Sequence, residues 1–408
     1  MGWRPASGLH WFRRDLREFD NPALDAAGLD RVGVFVHDPY FSAVGEPRAA
    51  HLRAALSELD VLEVAGDPAA QLIRLARSHE TDRVVCTGDT TPYGRRRDEQ
   101  VRAELAAHGI SLEFIDTPYA IPPGVVRNQA GAGFQVFTPF YKAWLAQGWG
   151  APKGRIPATP AVRRWRKFRK KDLADYKQNR DLAALDGTSR LSAALHFGQI
   201  HPRTILADVP DPQTDPFVRQ LAWREFCADV LWHRPHAAWA SLDERFDTDM
   251  EYSDNADHFE AWTQGRTGFP FVDAGMRQLL AEGWMHNRLR LVTASFLIKD
   301  LHLPWQWGAK WFLQHLVDGD VANNQLGWQW VAGCGTDAAP YFRIFNPVTQ
   351  GRRFDPDGAF IRRYVPELAD ATDPHEPGLL APDYPAPIVD HAQEREVALA
   401  RFQALPAR

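Results

Sequence analysis

The N-terminal third of the chain alternates short apolar runs with stretches in which apolar residues recur every three or four positions. The short runs have the length of buried β-strands and are SGLHWF, RVGVFVHDP, VLEVAG, RVVCTGD and SLEFID. The stretches between them predict amphipathic helices and are PALDAAG, RAAHLRAALSEL, PAAQLIRLARSHE and RRRDEQVRAELAAHG. This alternation predicts an α/β domain built on an open, doubly wound, mainly parallel sheet.

The pattern changes after about residue 120, where proline, glycine and basic side chains become frequent. The stretches IPPGVV, APKGRIPATP and RRWRKFRKK are typical of a long connection between domains. Beyond it, DPFVRQLAWREFCADVLWH and FVDAGMRQLLAEGWMHNRLRLVTASFLIKDL have helical spacing. We therefore predict an α/β domain over residues 1–125, an interdomain linker over 126–175 and an all-α domain over 176–408.

Length and composition favour a globular protein. With 408 residues, 45% of them apolar, the chain can form two or three domains with sizeable cores. No segment approaches the ~18 consecutive apolar residues that span a bilayer, and the N-terminal MGWRPASGLHWFRRD lacks the apolar core of a signal peptide. We therefore expect no membrane partner and a cytoplasmic location. Because the net charge is -5, a nucleic-acid partner would have to meet a local basic face.

Several classes of protein are disfavoured by what the chain lacks. The three cysteines, Cys86, Cys227 and Cys334, include no C-x-x-C pair, which argues against a disulfide framework, a cysteine zinc site or a four-thiolate iron–sulfur cluster. The turn after the first apolar run, RRDLREFDNPAL, lacks the G-x-G-x-x-G of ordinary dinucleotide sites. H-E-x-x-H and G-x-S-x-G are also missing, so we expect neither a metal site nor a serine hydrolase.

One polar stretch, DGTSRLSAALHFG, is a candidate phosphate site. Gly187, Thr188, Ser189 and Ser192 stand at the start of a predicted apolar helix. Free N–H groups at a helix N-terminus, with hydroxyls beside them, can bind phosphate oxygens. An ordinary Ser/Thr helix cap explains the same residues equally well.

Two further candidates lie in the C-terminal half. In GWMHNRLRLVTASF and LVDGDVANN, buried Arg290 and Asp318 would need each other and could line a polar pocket, although solvated charges or helix caps fit the same pattern. In WQW, Trp328 and Trp330 stand two residues apart, and such positions do not share a face of a helix. The two indoles are therefore expected to have different surroundings, such as a cofactor and a ligand, while two core tryptophans are the alternative.

Taken together, six stretches resemble the photolyase/cryptochrome flavoproteins, and most of all the bacterial class I cyclobutane pyrimidine dimer photolyases. They run in order along nearly the whole chain and are HWFRRDLREFDNPAL, GTSRLSAALHFG, WREF, TGFPFVDAGMRQLLAEGWMHNRLR, DGDVANN and GWQWVAGCGTDAAPYFRIFNP. The resemblance implies a DNA-repair lyase for UV-damaged DNA. Under light, an electron would pass from excited reduced FAD to a flipped-out pyrimidine dimer.

The same resemblance implies a U-shaped FAD in the helical domain. Its phosphates would be held by Tyr176, Thr188, Ser189, Leu191 and Ser192. Its ring system would be surrounded by Trp284, Asn287, Arg290, Asp318, Asp320 and Asn324, with Asn324 beside flavin N5. Trp328 would lie next to the flavin and begin an electron relay through Trp305, with Tyr252 at the position of the outermost member.

The resemblance also implies a DNA-binding set. In it, Trp330 and Trp223 would stack on the damaged bases, and arginines would meet the flanking phosphates. The full set is Gln220, Trp223, Arg224, Asn287, Arg288, Leu291, Trp330 and Arg343. The RRWRKFRKK run either adds to this basic face or is a solvated linker.

Several positions depart from the best-known dimer photolyases. Gln220 replaces a glutamate that bonds the pyrimidines, Leu291 replaces a methionine, and Tyr252 replaces a tryptophan, so its oxidation requires loss of a proton. Gln220 also occurs in (6-4) photolyases and animal cryptochromes, but Asn287 stands where (6-4) photolyases carry a histidine. A signalling cryptochrome is the next alternative, disfavoured by the short end after the core, and a dark flavoprotein electron carrier is the last.

The α/β domain is expected to hold an antenna chromophore. In TPYGRRRD, Tyr93 and Gly94 stand where folate-binding relatives carry Asn and Glu, and the motif resembles the PYGR of relatives that hold a deazaflavin or a second flavin. We therefore expect 8-hydroxy-deazaflavin, with FMN second and folate last. The expected contacts are Asp38, Tyr93 and Arg95, and the protein is expected to be a monomer.

Overall fold

The computed structural model describes residues 6–212, 215–336, 342–378 and 381–407. The chain forms two compact units. The first unit comprises Met1–Leu173 and Ser189–Pro235, and the second comprises Ala174–Thr188 and His236–Arg408. The chain therefore passes between the units three times, which differs from the single crossing predicted through residues 126–175.

A five-stranded parallel sheet forms the centre of the first unit and confirms the predicted architecture. Its strands are β1 (Leu9–Phe12), β2 (Val32–His37), β3 (Leu62–Ala65), β4 (Arg83–Cys86) and β5 (Ser111–Phe114). They are ordered β3-β2-β1-β4-β5, and Leu9 of the central strand is in register with both Val32 and Val84. The direction of the strand order reverses between β1 and β4, as in other doubly wound folds.

Most helices of the first unit begin at a proline that follows a polar cap. They are α1 (Pro22–Ala26), α2 (Glu46–Leu56), α3 (Pro68–Ser78), α4 (Pro92–Ala106), α5 (Phe137–Gln147), α6 (Pro160–Lys171), α8 (Ser192–Phe197), α9 (Pro202–Leu206) and α10 (Pro216–His233). Asp67, for example, accepts from the N–H of Ala70 at 2.9 Å, and Thr91 accepts from the N–H of Gly94 at 3.1 Å. Such caps satisfy N–H groups that the first helical turn leaves unpaired.

The stretch predicted as a linker contains helices with buried aromatic residues. Trp144 of α5 and Trp165 of α6 are fully buried. The indole N–H of Trp144 donates to Glu225 at 2.7 Å, and that of Trp165 donates to Asp208 at 2.9 Å. The Pro- and Gly-rich composition therefore marks the loops of this stretch, while aromatic side chains such as Trp144 and Trp165 join the interior of the first unit.

The second unit is mostly helical in the residues described, as predicted. Its helices are α7 (Tyr176–Asn179), α11 (Arg245–Thr248), α12 (Ala256–Thr263), α13 (Pro270–Glu282), α14 (Asn287–Lys299), α15 (Trp305–His315), α16 (Val321–Ala332), α17 (Pro347–Phe354), α18 (Ala359–Tyr364) and α19 (His391–Ala404). The long helical pattern around residue 283 is split between α13 and α14. Gly283 has a φ of 61°, a left-handed conformation that favours glycine after a helix.

The interior of the second unit is built largely from aromatic and aliphatic side chains. Trp262, Phe271, Met276, Leu297 and Trp305 are all fully buried in one cluster. None of the helices within the described ranges has the length and apolar character needed to cross a membrane.

Candidate functional site

A cavity of about 180 Å³ lies in the second unit, lined by α14, α15, α16 and the segment before α16. Its polar lining consists of Asn287, Arg290, Asp318, Asp320, Asn323 and Asn324. Its apolar lining consists of Leu291, Ala294, Phe312, Leu316, Trp328 and Val331. Apolar walls with a few convergent polar groups are typical of a site for an organic ligand.

The charged pair predicted from the sequence is present at this cavity. Nη2 of Arg290 lies 2.9 and 3.1 Å from the two carboxylate oxygens of Asp318. Nε of Arg290 donates to the carbonyl oxygen of Met285 at 2.9 Å, which fixes the plane of the guanidinium. Because the Asp318 side chain is only 3% exposed, its carboxylate requires a cation beside it. The pair forms a fixed, charged part of the cavity wall.

Two further polar groups are held by the start of α16. The carboxylate of Asp320 caps this helix by accepting from the backbone N–H of Asn323 at 3.0 Å and from its side chain at 2.8 Å. The amide nitrogen of Asn324 donates to the carbonyl oxygen of Ala309 at 3.0 Å and to the side chain of Gln325 at 2.7 Å. These bonds use both amide hydrogens of Asn324, so its side-chain oxygen is the atom left for a ligand.

Trp328 forms part of the apolar wall and is 3% exposed. Its indole packs edge-on against Trp262 and Phe312, with ring centroids 6.1 and 5.0 Å away. It also lies directly over Gly308 of α15, where any Cβ would come within 2.1 Å of the ring. The glycine therefore permits the close approach of α15 and α16 that places this indole at the cavity.

The other members of the predicted electron relay lie in the same unit. Trp305, one helical turn before Gly308, is fully buried, and its Nε1 donates to the hydroxyl of Ser241 at 2.9 Å. The Ser241 hydroxyl in turn donates to Asp247 at 2.7 Å. Tyr252 follows α11, and its hydroxyl is buried. Burial, followed by the nearby Cys334 and Asp247, raises the pKa of this phenol.

Trp330 has surroundings different from those of Trp328, as the spacing predicted. It is partly buried at the edge of the core cluster, and the guanidinium of Arg343 lies 5.7 Å from its ring centroid. Arg288, also predicted to contact DNA, is paired with Asp181 at 3.0 Å and lies over the ring of Phe354 at 4.0 Å. Leu291 and Asn287, predicted on the DNA side, both line the cavity.

The residues predicted to hold phosphates are divided between the two units. Tyr176, which is buried at the start of α7, and Thr188 belong to the second unit. Ser189, Leu191 and Ser192 belong to the first, where α8 starts at Ser192 and its N-cap, Leu191, makes no side-chain bond to the helix. The hydroxyl of Ser189 accepts from the backbone N–H of Leu191 at 3.4 Å, as a local serine cap would, so the cap and the phosphate role both remain open for these residues.

Three residues of the predicted DNA-binding set share one face of α10 in the first unit, because Gln220, Trp223 and Arg224 are three and four positions apart. Trp223 stacks on Phe137, with ring centroids 3.8 Å apart and planes inclined by 8°. The guanidinium of Arg224 donates to the backbone carbonyls of Pro118 at 3.0 Å and Leu195 at 3.1 Å. Arg224 thus has a structural role in the first unit, and its contact with DNA remains a prediction.

The predicted antenna residues are only partly brought together. The hydroxyl of Tyr93 donates to Asp38 at 2.6 Å, and burial together with this bond raises the pKa of the phenol. The Tyr93 ring is stacked on the exposed Tyr40, with centroids 3.5 Å apart. Arg95 instead lies over the ring of Trp232 at 3.8 Å and donates to its carbonyl oxygen at 3.2 Å.

The sequence did not predict several residues that contact the predicted site residues and hold them in place. Gly308 beneath Trp328, Ser241 on the indole of Trp305, and Asp181 on Arg288 carry no local signal of their role. Only Gly308 had a recognisable feature, since a glycine inside a helical pattern often marks a close approach of neighbouring atoms.

A parallel α/β unit, together with a helical unit that contains a cavity of mixed polarity, is the architecture of a protein that binds an organic ligand. Comparison with known proteins makes this class specific. The family model described as DNA photolyase matches residues 8–162, and the model for the FAD binding domain of DNA photolyase matches residues 217–404. The chain belongs to the DNA photolyase family and has its FAD-binding domain.

Individual relatives agree along nearly the whole chain. The deoxyribodipyrimidine photo-lyase of Vibrio cholerae is 36% identical, and the alignment covers 97% of this chain and 99% of that protein. The crystal structure of a class III photolyase from Agrobacterium tumefaciens has a TM-score of 0.89 at 32% identity, covering 99% of this chain and 98% of that one. The crystal structure of a cryptochrome from Synechocystis has a TM-score of 0.87 at 26% identity, covering 99% of this chain and 100% of that one.

Proposed function

We propose that this protein repairs cyclobutane pyrimidine dimers in UV-damaged DNA in a light-dependent reaction. The observation that carries the proposal is the cavity of the second unit, where the Arg290–Asp318 pair, Asp320 and Asn324 lie together with the buried indole of Trp328. The names of relatives similar over nearly the full length support the same activity.

The residues present fit the ring system of FAD. A flavin is flat and apolar on its faces and carries hydrogen-bonding atoms along its edges, which matches apolar walls with carboxylate, amide and guanidinium groups between them. Arg290, Asp318, Asp320 and Asn324 would hold those edges, with the Asn324 oxygen as the acceptor nearest flavin N5. Light-driven donation of an electron to the dimer, and its return after the cyclobutane bonds split, is the chemistry that reduced FAD supplies when bound.

The tryptophans serve to keep the cofactor reduced. Trp328 would pass an electron towards the cavity and recover one from Trp305. The hydrogen bond from Trp305 to Ser241, and from there to Asp247, places an acceptor beside the indole N–H as its acidity rises on oxidation. Both indoles are buried, so their rings are held in fixed positions by the surrounding side chains.

Turning a dimer out of a duplex costs a few kcal/mol, and this cost is lowest for a damaged base. Stacking on an aromatic side chain contributes about 1–3 kcal/mol per base, which is sufficient to offset it. We assign this stacking to Trp330 and to Trp223, with Gln220 on the base edges. Arg288 and Arg343 would meet the flanking phosphates, so binding should weaken as salt concentration rises.

The remaining assignments extend the same proposal. 8-Hydroxy-deazaflavin would be the antenna, with FMN second, near Asp38 and Tyr93. The protein would act as a monomer in the cytoplasm.

The activity can be tested with UV-irradiated oligo(dT), the reduced FAD-loaded protein and near-ultraviolet light. Recovery of thymine absorbance in the illuminated sample, and its absence in the dark sample, is the expected result. Trp330→Ala should reduce repair by tenfold or more, because about 1.4 kcal/mol of lost stacking corresponds to a factor of ten. Trp239→Ala is the matched control, since Trp239 is 57% exposed and outside the cavity lining. FAD-loaded protein that shows no recovery under light would contradict repair and favour a signalling cryptochrome.

A further inference from the structure

The hydroxyl of Tyr252 is an unusual feature of the second unit. The ring is partly exposed, but the hydroxyl oxygen is buried and has no hydrogen-bond partner among the residues described. A buried polar group left unpaired in this way is destabilising and requires a reason. The phenolic proton also cannot pass straight into bulk water, because the atom that carries it is covered.

Tyr252 lines a small cavity of about 20 Å³. Lys299 of α14 lines the same cavity, as do His302 and Arg401. A volume of this size has room for about one water molecule. The phenol and the amine therefore line the same small cavity, and because the phenol makes no hydrogen bond to the amine, a single water between them is the route by which a proton can pass.

The Lys299 side chain is buried, with 2% of the residue exposed. Its Nζ donates to the carbonyl oxygen of Arg343 and lies 4.2 Å from the ring centroid of Phe342. Burial lowers the pKa of this amine to about 7. Near neutral pH a large fraction of Lys299 is therefore an uncharged amine, whose nitrogen lone pair can accept a proton.

The charges around Lys299 come from several elements. Asp300 and Cys334 raise the pKa of the amine, and Arg343 lowers it. Glu251, His302 and Arg401 line the shared cavity, while His302 is bonded to Glu394 of α19 and Asp300 to His391 of α19. Acidic and basic groups thus face the amine together, and burial remains the largest influence on it.

We propose that Lys299 accepts the phenolic proton of Tyr252 when this tyrosine is oxidised at the end of the electron relay. This inference rests on the proposed function, because oxidised Trp305 is the oxidant. Trp305 regains one electron, Tyr252 loses one electron and its O–H bond, and Nζ of Lys299 forms a new N–H bond to become ammonium. The result is a neutral tyrosyl radical, and the positive charge has moved from the indole to the lysine.

This transfer explains how a tyrosine can replace a tryptophan in the relay. A phenol that loses an electron but keeps its proton is a very strong acid, so its oxidation is favourable only when a base is in reach. The Ser241–Asp247 pair lies between Trp305 and Tyr252. Ser241 is hydrogen-bonded to the Trp305 indole and to Asp247, and Asp247 is close enough to Tyr252 to raise the pKa of its phenol. Lys299 is thus a proton-accepting residue for the relay.

The test is transient absorption with electron paramagnetic resonance on FAD-loaded protein after a light flash. Lys299→Met should lower the yield of tyrosyl radical at least tenfold while the tryptophan radical forms as in the wild type. Lys299→Arg keeps a cationic donor but has no lone pair at neutral pH, and it should show the same loss if the methionine variant folds poorly. Lys310→Met is the matched control, because Lys310 is an exposed lysine on α15.

The pH profile gives a second measurement. Below pH 7, the rate of tyrosyl formation in the wild type should fall about tenfold per unit as the neutral amine disappears, and it should level off above pH 7. An unchanged radical yield and profile in both Lys299 variants would overturn the proposal, as would the lack of any tyrosyl radical in the wild type. Failure of the proposed function would be detected by a different measurement, namely the absence of dimer repair by protein whose FAD has been reduced chemically.

Discussion

Gly308 offers a direct test of how Trp328 is placed at the cavity. In Gly308→Ala, the added methyl carbon would lie 2.1 Å from Cη2 of Trp328 and 2.7 Å from a methyl group of Leu297. Ordinary contacts of a Cβ begin at 3.4 Å, so the indole would have to move by more than 1 Å. Trp262 and Phe312 pack against the same indole, and a movement of this size therefore disturbs the wall of the cavity.

The magnitude follows from two opposing contributions. Overpacking of a close-packed interior costs about 1–3 kcal/mol. Alanine inside a helix is favoured over glycine by about 1 kcal/mol, which offsets part of this. We therefore expect Gly308→Ala to lower the free energy of unfolding by about 0–2 kcal/mol and to change the fluorescence of the buried tryptophans.

Urea denaturation of the apoprotein measures the loss of stability, and its tryptophan emission spectrum measures the change of fluorescence. Titration with FAD measures the weaker cofactor binding that we expect from the disturbed cavity wall. Gly327→Ala is the matched control, because Gly327 lies within α16 and no atom would be within 4 Å of an added Cβ. The control should be more stable by about 0.5–1 kcal/mol as an apoprotein, but it should bind FAD more weakly, since Gly327 lines the cavity. A Gly308→Ala variant as stable as the wild type, with unchanged fluorescence and FAD affinity, would refute this packing argument.

Three further predictions concern stability. Arg290→Met should lower the free energy of unfolding, measured by urea denaturation, by about 3–5 kcal/mol, because Asp318 would be left buried without its cation. The double variant with Asp318→Asn should recover part of this loss, and an equal loss in the single and double variants would contradict the argument. Trp144→Phe removes one of the N–H groups bonded to the buried carboxylate of Glu225 and should cost about 1.5–3 kcal/mol by the same assay, whereas a neutral result would mean the bond is dispensable. Burial lowers the pKa of Lys299 from 10.5 to about 7, so between these pH values the unfolded chain binds more protons than the folded one. The stability of the apoprotein should therefore rise with pH across this window by up to ~5 kcal/mol relative to Lys299→Met. If the stability of the two proteins changed with pH in the same way, the lowered pKa of Lys299 would be excluded.

Much of the secondary structure could be predicted because the relevant signals are local. The five strands of the first unit were recognised from short apolar runs, and their order along the chain required parallel pairing with helical crossovers. The start of α10 follows from the sequence Asp215–Pro216, because the Asp215 side chain accepts from the N–H of Phe217 at 2.7 Å and caps the helix. Caps, prolines and periodicity act over a few residues, so they can be recognised without a fold.

The division into units could not be predicted in the same way. A composition rich in proline, glycine and basic residues indicated a linker, yet Trp144 and Trp165 within it are fully buried. Burial of these indoles depends on acceptors far along the chain, Glu225 and Asp208, whose positions no local pattern specifies. A stretch rich in proline, glycine and basic residues can therefore still belong to a packed unit.

At the candidate site, chemical identity and placement have different origins. Residue types alone suggested that Arg290 would need Asp318, because a buried charge requires a partner. The glycine beneath Trp328, the hydroxyl on Trp305 and the amine that shares a cavity with Tyr252 are contacts between distant segments of the chain. Local sequence specified which elements form and which reactive groups they carry, since those depend on nearest neighbours. Packing of the helices determined which of these groups meet and which lose water, and burial and proximity then set the pKa values and close contacts on which the proposed chemistry depends.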